Sequence, residues 1–180
     1  KWEKLLQTAA RMRPAASDNG APSSHLTEIR NFGSNPGDLR MFAHLPPQVS
    51  EDRALVVVLH GCTQSAVGYD LGAGWSTLAD RFGFVLLLPE QQRSNNPNGC
   101  FNWFQAGDIE RGHGEAYSIR QMIDKMVLDH GIHPARVFVT GLSAGGAMTS
   151  VMLAAYPDVF AGGAIVAGLP YGAETNVQQA

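Results

Sequence analysis

The chain has 180 residues, 44% hydrophobic and 16% charged, with a net charge of −3. That is a globular composition with length for one domain and a proper core. It offers no basic stripe for nucleic acid and no apolar run near the ~18 residues of a membrane span. No signal peptide is visible, and the chain begins at Lys1 rather than Met, so a mature or trimmed product is expected.

Residues 2–12 form an amphipathic helix pattern, with Trp2, Leu5, Leu6, Ala9 and Met12 on one side. Residues 14–24, rich in Pro, Ala, Ser and Gly, read as a linker, so residues 1–25 stand apart from residues 26–180. Residues 26–32 and 39–45 read as an antiparallel pair of strands joined by a Gly/Asn/Pro turn. Residues 54–59 are a continuous apolar run, as in a strand buried on both faces. A helix is expected over 69–82, a second buried strand over 84–88 and a helix over 115–130, with Ile119, Met122, Ile123, Met126 and Val127 on one face. Residues 136–140 read as a buried strand, 146–156 as a small-residue helix stopped by Pro157, and 163–168 as a last strand. Alternation of this kind predicts a mostly parallel sheet with helices on both faces.

Gly141-Leu142-Ser143-Ala144-Gly145 falls where a strand hands over to a helix. This is the context of a nucleophile elbow, in which a strained turn pushes the serine hydroxyl out of the sheet at a helix N-terminus. Gly141 and Gly145 remove the Cβ atoms that would crowd such a turn. The motif is short, and the alternative is a Gly-rich turn with a bystander serine. His60-Gly61-Cys62-Thr63-Gln64 also leaves the carboxyl end of a buried strand. In elbow hydrolases the oxyanion is held by the N–H after the nucleophile and one from such an earlier loop, here Ala144 and Cys62.

Residues 91–108 lack periodicity and are full of Asn, Gly and Gln. They leave a strand's carboxyl end, the edge where open α/β sheets bind ligands. With Phe101, Trp103 and Phe104, the stretch reads either as a pocket wall, Trp103 and Phe104 meeting substrate, or as a structural loop with a hydrophobic anchor. Cys62 and Cys100 form a disulfide if their loops meet, and are two free thiols otherwise.

Leu59-His60-Gly61-Cys62-Thr63-Gln64, Pro89-Glu90-Gln91, Cys100-Phe101-Asn102-Trp103-Phe104, Gly114-Glu115 with Ser118-Ile119, and Pro134-Ala135-Arg136-Val137 ahead of the elbow form a set. Together they resemble the poly(3-hydroxybutyrate)-depolymerase-type esterases, α/β hydrolases that include feruloyl and acetylxylan esterases. The resemblance implies a three-layer α/β-hydrolase fold, with residues 26–180 as the N-terminal portion of the catalytic domain. It implies carboxylic-ester hydrolysis through an acyl-serine at Ser143, with a small-molecule or polymeric ester as substrate and no cofactor or metal. It also implies that Cys62 and Cys100 are paired, which favours secretion or a periplasm.

The family's acid and histidine follow the nucleophile. After Ser143 this chain carries only Asp158 and Glu174 as carboxylates and no histidine, so the triad acid and histidine are expected outside it. Among upstream histidines His60 is nearest in the inferred layout, as a lesser candidate base. His130 and His133 flank Gly131 as a lesser candidate metal pair, His113 reads as a loop residue, and His25 and His44 show no evident partner. A peptidase of similar fold and a non-catalytic module are the alternatives to the esterase reading.

Overall fold

The structure, a computed structural model, describes residues 25–48 and 52–173. The expected helix over 2–12, its linker up to residue 24 and Glu174 lie outside the described residues.

Six strands form one sheet: β1 (Thr27–Ile29), β2 (Arg40–His44), β3 (Leu55–Leu59), β4 (Val85–Glu90), β5 (Val137–Leu142) and β6 (Gly162–Val166), in the order β1-β2-β4-β3-β5-β6. β1 and β2 pair antiparallel, as the turn between them predicts, and β2 pairs antiparallel with β4. β4, β3, β5 and β6 run parallel, with Leu55 opposite both Val85 and Val137. The helices are α1 (Ala66–Ala73), α2 (Trp75–Phe82), α3 (Ala106–Ile109), α4 (Gly114–His130) and α5 (Ala144–Ala155).

The core has two parts because β3 and β4 carry apolar side chains on both faces. On one face Leu55, Val57, Leu59 and Leu87 pack with Ile119, Met122, Ile123 and Met126 of α4 and with Met148, Val151 and Met152 of α5. On the other, Val58, Leu86 and Leu88 meet Ala66 of α1 and Ala79 of α2. This is the expected sheet between two helical layers.

Three expectations change. The helix over 69–82 is two helices, because Gly74 adopts a left-handed conformation (φ 75°) that ends α1 and starts α2. The strand over 136–140 is not buried throughout: Val137 and Val139 point into the core, whereas Phe138 is exposed, since the α1–α2 layer packs on β2, β3 and β4 and not on β5. The helix expected from residue 146 begins at Ala144, directly after the serine.

The chain leaves β3 for α1 on one face and leaves β5 for α5 on the other, although β3 and β5 are neighbours. Their carboxyl ends therefore open a crevice, the place where an open α/β sheet binds its ligand.

Candidate active site

Ser143 sits in that crevice, exposed, with φ 56° and ψ −117°. A non-glycine residue held there carries about 1–3 kcal/mol of strain and persists only where its surroundings over-determine it. Here its N–H donates to the Val166 carbonyl at 2.9 Å and its own carbonyl accepts from the Ala147 N–H at 2.9 Å. The flanking glycines are obligatory for space. A Cβ on Gly141 would collide with the Gly145 carbonyl, and one on Gly145 would strike the Leu59 and His60 carbonyls. The small residues thus let α5 start against the end of β3.

The loop after β3 packs against the elbow: a Cβ on Gly61 would lie 3.6 Å from Ser143 Cβ. Three of its N–H groups are committed. That of Gly61 donates to Gln64 Oε1 at 2.7 Å, that of Thr63 to the Asn98 carbonyl at 2.8 Å and that of Gln64 to the Gly61 carbonyl at 3.3 Å. The Cys62 N–H has no acceptor among the described residues. Neither has that of Ala144, which as the first residue of α5 has no intrahelical partner. Cys62, Ala144 and Ser143 line one cavity of about 290 Å³, walled by Trp103, Ala147 and Leu169. Two donors without acceptors, an exposed hydroxyl and an apolar wall in one cavity have the parts of an acyl-transfer site.

Cys62 and Cys100 are bonded, with their Cα atoms 4.2 Å apart across 38 residues of chain. The bridge ties the loop after β3 to the residues just before Trp103. Trp103 lines the cavity; Phe104 stands behind it, edge-on at 5.4 Å between ring centroids, packed against the core and off the cavity wall. Ala147, Ala167 and Leu169 also line the cavity. Nothing in the sequence marked them, because only the assembled fold brings Ala147 of α5 and the residues after β6 to one cavity. A larger cavity of about 410 Å³ lies among Thr63, Gln64, Ser65, Arg40, Glu90 and Arg93. There Arg40 and Glu90 are paired at 2.7 Å, and Ser65 Oγ accepts from the Gly68 N–H at the start of α1.

No described histidine lines the serine cavity. His60 is buried, with 1% of its surface exposed, and stacks on Phe101 at 4.9 Å. Its Nε2 accepts the Gln91 N–H at 3.0 Å, so Nδ1 carries the proton and donates to the Gly61 carbonyl at 2.8 Å. Burial pulls its pKa below the usual imidazole value. Both ring nitrogens are spent, and His60 is removed as a candidate base. His44 meets Asp80 at 2.7 Å, His113 is exposed, and His133 accepts from the Ala135 N–H at 3.2 Å. Among the described residues no group of three or more His, Cys, Asp or Glu side chains is placed to hold a metal. Asp158 follows the far end of α5, about 18 Å of helix from Ser143. There Arg111 grips it with two bonds of 2.6 and 2.9 Å and holds its pKa down at about 2.

Residues 39–179 match the family profile described as esterase PHB depolymerase. The chain is 55% identical over 155 residues to poly(3-hydroxyalkanoate) depolymerase C of Paucimonas lemoignei, covering 86% of this chain and 37% of that protein. It is 34% identical over 150 residues to feruloyl esterase B of Talaromyces funiculosus, covering 83% and 42%. Among solved structures, an acetyl xylan esterase from Aspergillus awamori superposes with a TM-score of 0.79 at 29% identity, covering 86% of this chain and 56% of that one. The chain spans about half or less of the length of these curated relatives.

Proposed function

The chain belongs to the esterase PHB depolymerase family, and from that premise we propose that it is the nucleophile-bearing part of a serine carboxylic-ester hydrolase. The observation that carries this reading is the single cavity shared by strained, exposed Ser143 and the acceptor-free N–H groups of Cys62 and Ala144. Ser143 Oγ attacks the ester carbonyl carbon while its proton passes to a general base. The carbonyl oxygen takes the negative charge and is held by the Cys62 and Ala144 N–H groups, each worth about 2.7–4 kcal/mol of barrier. Collapse expels the alcohol with the returned proton and leaves an acyl-serine, which water hydrolyses by the same route. In this reading the base and its acid come from the part of a longer polypeptide that corresponds to the rest of the relatives' length. Nothing in these steps calls for a cofactor.

Polyhydroxyalkanoate-type esters are the first substrate class to test, because the depolymerase relative is the one at 55% identity and the Trp103, Ala147 and Leu169 wall suits an aliphatic acyl unit. Feruloyl and acetylxylan esters come second. The names of the curated relatives favour ester hydrolysis over the peptidase alternative. The Cys62–Cys100 bridge favours an oxidising compartment, and we propose a secreted or periplasmic protein; no helix among the described residues is long and apolar enough to cross a membrane.

The test uses the full-length protein that the gene encodes. A fluorophosphonate should label Ser143, and Ser143→Ala should abolish both labelling and p-nitrophenyl ester turnover, the latter by roughly 10⁴-fold or more. Labelling that survives the substitution overturns the assignment. Residues 1–180 alone should fall far short of the full-length rate; equal rates would mean that the base lies within this chain.

A further inference from the structure

Glu115, at the start of α4, is buried and takes no part in the ester chemistry at Ser143. One carboxyl oxygen, Oε2, accepts the Asn102 N–H at 2.8 Å, and Asn102 immediately precedes Trp103. The other, Oε1, accepts from Gln91 Nε2. The orientation of the Gln91 amide is fully determined. Its Nε2 also donates to the Cys100 carbonyl at 3.1 Å, while its Oε1 accepts from the Gln92 N–H at 2.8 Å and from Asn95 Nδ2 at 2.9 Å. A flipped amide would set donors against donors. The Gln91 N–H is the one that His60 Nε2 accepts, and His60 Nδ1–H holds the Gly61 carbonyl. That carbonyl belongs to the same rigid peptide unit as the Cys62 N–H. Fixing the Gly61 oxygen on one side therefore aims the Cys62 hydrogen on the other.

We propose that Glu115 is a positioning residue for the reaction at Ser143, setting the Cys62 oxyanion donor through Gln91 and His60, and the Trp103 wall through Asn102. The proposal rests on the reading of Ser143 as nucleophile. Buried relays of this kind rigidify a site only when every member is satisfied. Here each Glu115 oxygen accepts from an N–H, so the arrangement favours the carboxylate, and a proton on either oxygen would weaken the bond that this oxygen accepts. Burial works the other way: it raises the Glu115 pKa to about 8, against the pull of the Asn102 and Gln91 hydrogen bonds. Among the other titratable groups around it, Asp108 of α3 accepts the Glu115 N–H at 3.1 Å and adds to the rise. Asp38 lines the same cavity of about 190 Å³. Glu90 precedes Gln91 in the chain, and neutral His60 lies at the far end of the relay. The site thus uses a charge that the fold would rather keep neutral.

Glu115→Gln in the full-length protein separates positioning from plain stability. The variant keeps the shape and loses the charge, but its NH₂ must face either the Asn102 N–H or Gln91 Nε2, and one branch opens. At pH 8–9 its Tm should equal or exceed that of the parent, while kcat/KM falls about 10- to 100-fold. A role in stability alone would move Tm and activity together. In a Ser143→Ala background, where no ester chemistry intervenes, tryptophan emission should titrate with a midpoint near pH 8, and Glu115→Gln or Trp103→Phe should each remove that transition. A folded Glu115→Gln protein with parental kcat/KM, or one whose emission still titrates, overturns the proposal. If Glu115→Gln does not fold, Gln91→Met decides: it should lower kcat/KM and keep the emission titration, and parental activity would sink the relay. Failure of fluorophosphonate to label Ser143 would sink the nucleophile reading instead, and the emission arm would still report on Glu115 and Trp103.

Discussion

β3 and β6 are both five-residue apolar strands with parallel neighbours, yet they end in opposite conditions. β3 lies between β4 and β5 with a helical layer on each face, and Leu55, Val57, Val58 and Leu59 are fully buried. Among the described residues β6 has one neighbouring strand and packs on α5, with Ile165 45% and Val166 49% exposed. An apolar strand sequence states a capacity for burial; its neighbours decide whether that capacity is used. The consequence for the site is an asymmetry. The Cys62 side of the cavity is built on the most constrained of the described strands, and the Ala167 and Leu169 side follows a strand with one neighbour among the described residues.

The largest way to break that asymmetry is to cut the bridge. Joint Cys62→Ser and Cys100→Ser substitution should cost at most about 4 kcal/mol for a loop of this length, measured by urea unfolding. A loss under about 0.5 kcal/mol would mean that packing alone holds the β3 side. Glycine substitutions sharpen the contrast directly. Gly145→Ala drives a Cβ into the Leu59 and His60 carbonyls, which are backbone and cannot move away, and should destabilise by about 1–3 kcal/mol or more. Gly162→Ala on β6 meets only the Phe138 ring at 3.8 Å and should stay within about 0.5 kcal/mol. Equal effects at the two sites would erase the distinction.

A pH dependence should follow on the constrained side. The folded-state pKa of Glu115, about 8, lies above its ordinary 4.5. The folded chain therefore binds more protons than the unfolded one between those values. Stability should decline as pH rises through that window, with a slope of at most about 1.4 kcal/mol per pH unit. Glu115→Gln should flatten it, and an unchanged slope would assign the dependence to other groups. The smallest effect on stability belongs to the edge. Ile165→Lys in residues 1–180 should leave the unfolding midpoint nearly unchanged and reduce self-association seen by light scattering, because a charge on an edge strand blocks pairing with another chain. Association that persists would locate the sticky surface elsewhere.

Much of this arrangement is legible in the residues. The runs at 54–59 and 84–88 are buried strands because their apolar side chains fall on both faces of the pleat. The elbow is readable because Gly141 and Gly145 are demanded by backbone crowding, a local constraint. The pairing of Cys62 with Cys100 is implied by the family resemblance, and the structure carries it. Other features are not readable. Gly74 splits a helix that periodicity joins, since the apolar pattern of α1 and α2 runs on through a residue whose conformation is left-handed. His60 reads as a candidate base until both ring nitrogens are seen to be occupied. Glu115 and Gln91 stand 24 residues apart, and no periodicity links them.

Local sequence suffices to say which segments can be strands and helices, where the strained turn carrying Ser143 falls, and which loops leave the carboxyl ends of strands. These are short-range properties, set by side-chain alternation, Cβ sterics and backbone donors within a few residues. That the loops after β3 and β5 meet, while the helices they lead to lie on opposite faces, is a property of the assembled sheet. So is the freedom of the Cys62 N–H from an acceptor among the described residues, and so is the reach of a buried carboxyl on α4 to both walls of the cavity. Those facts depend on which strands are neighbours and on which polar groups burial forces to pair, and contacts between residues far apart in the chain exist only once the sheet is assembled.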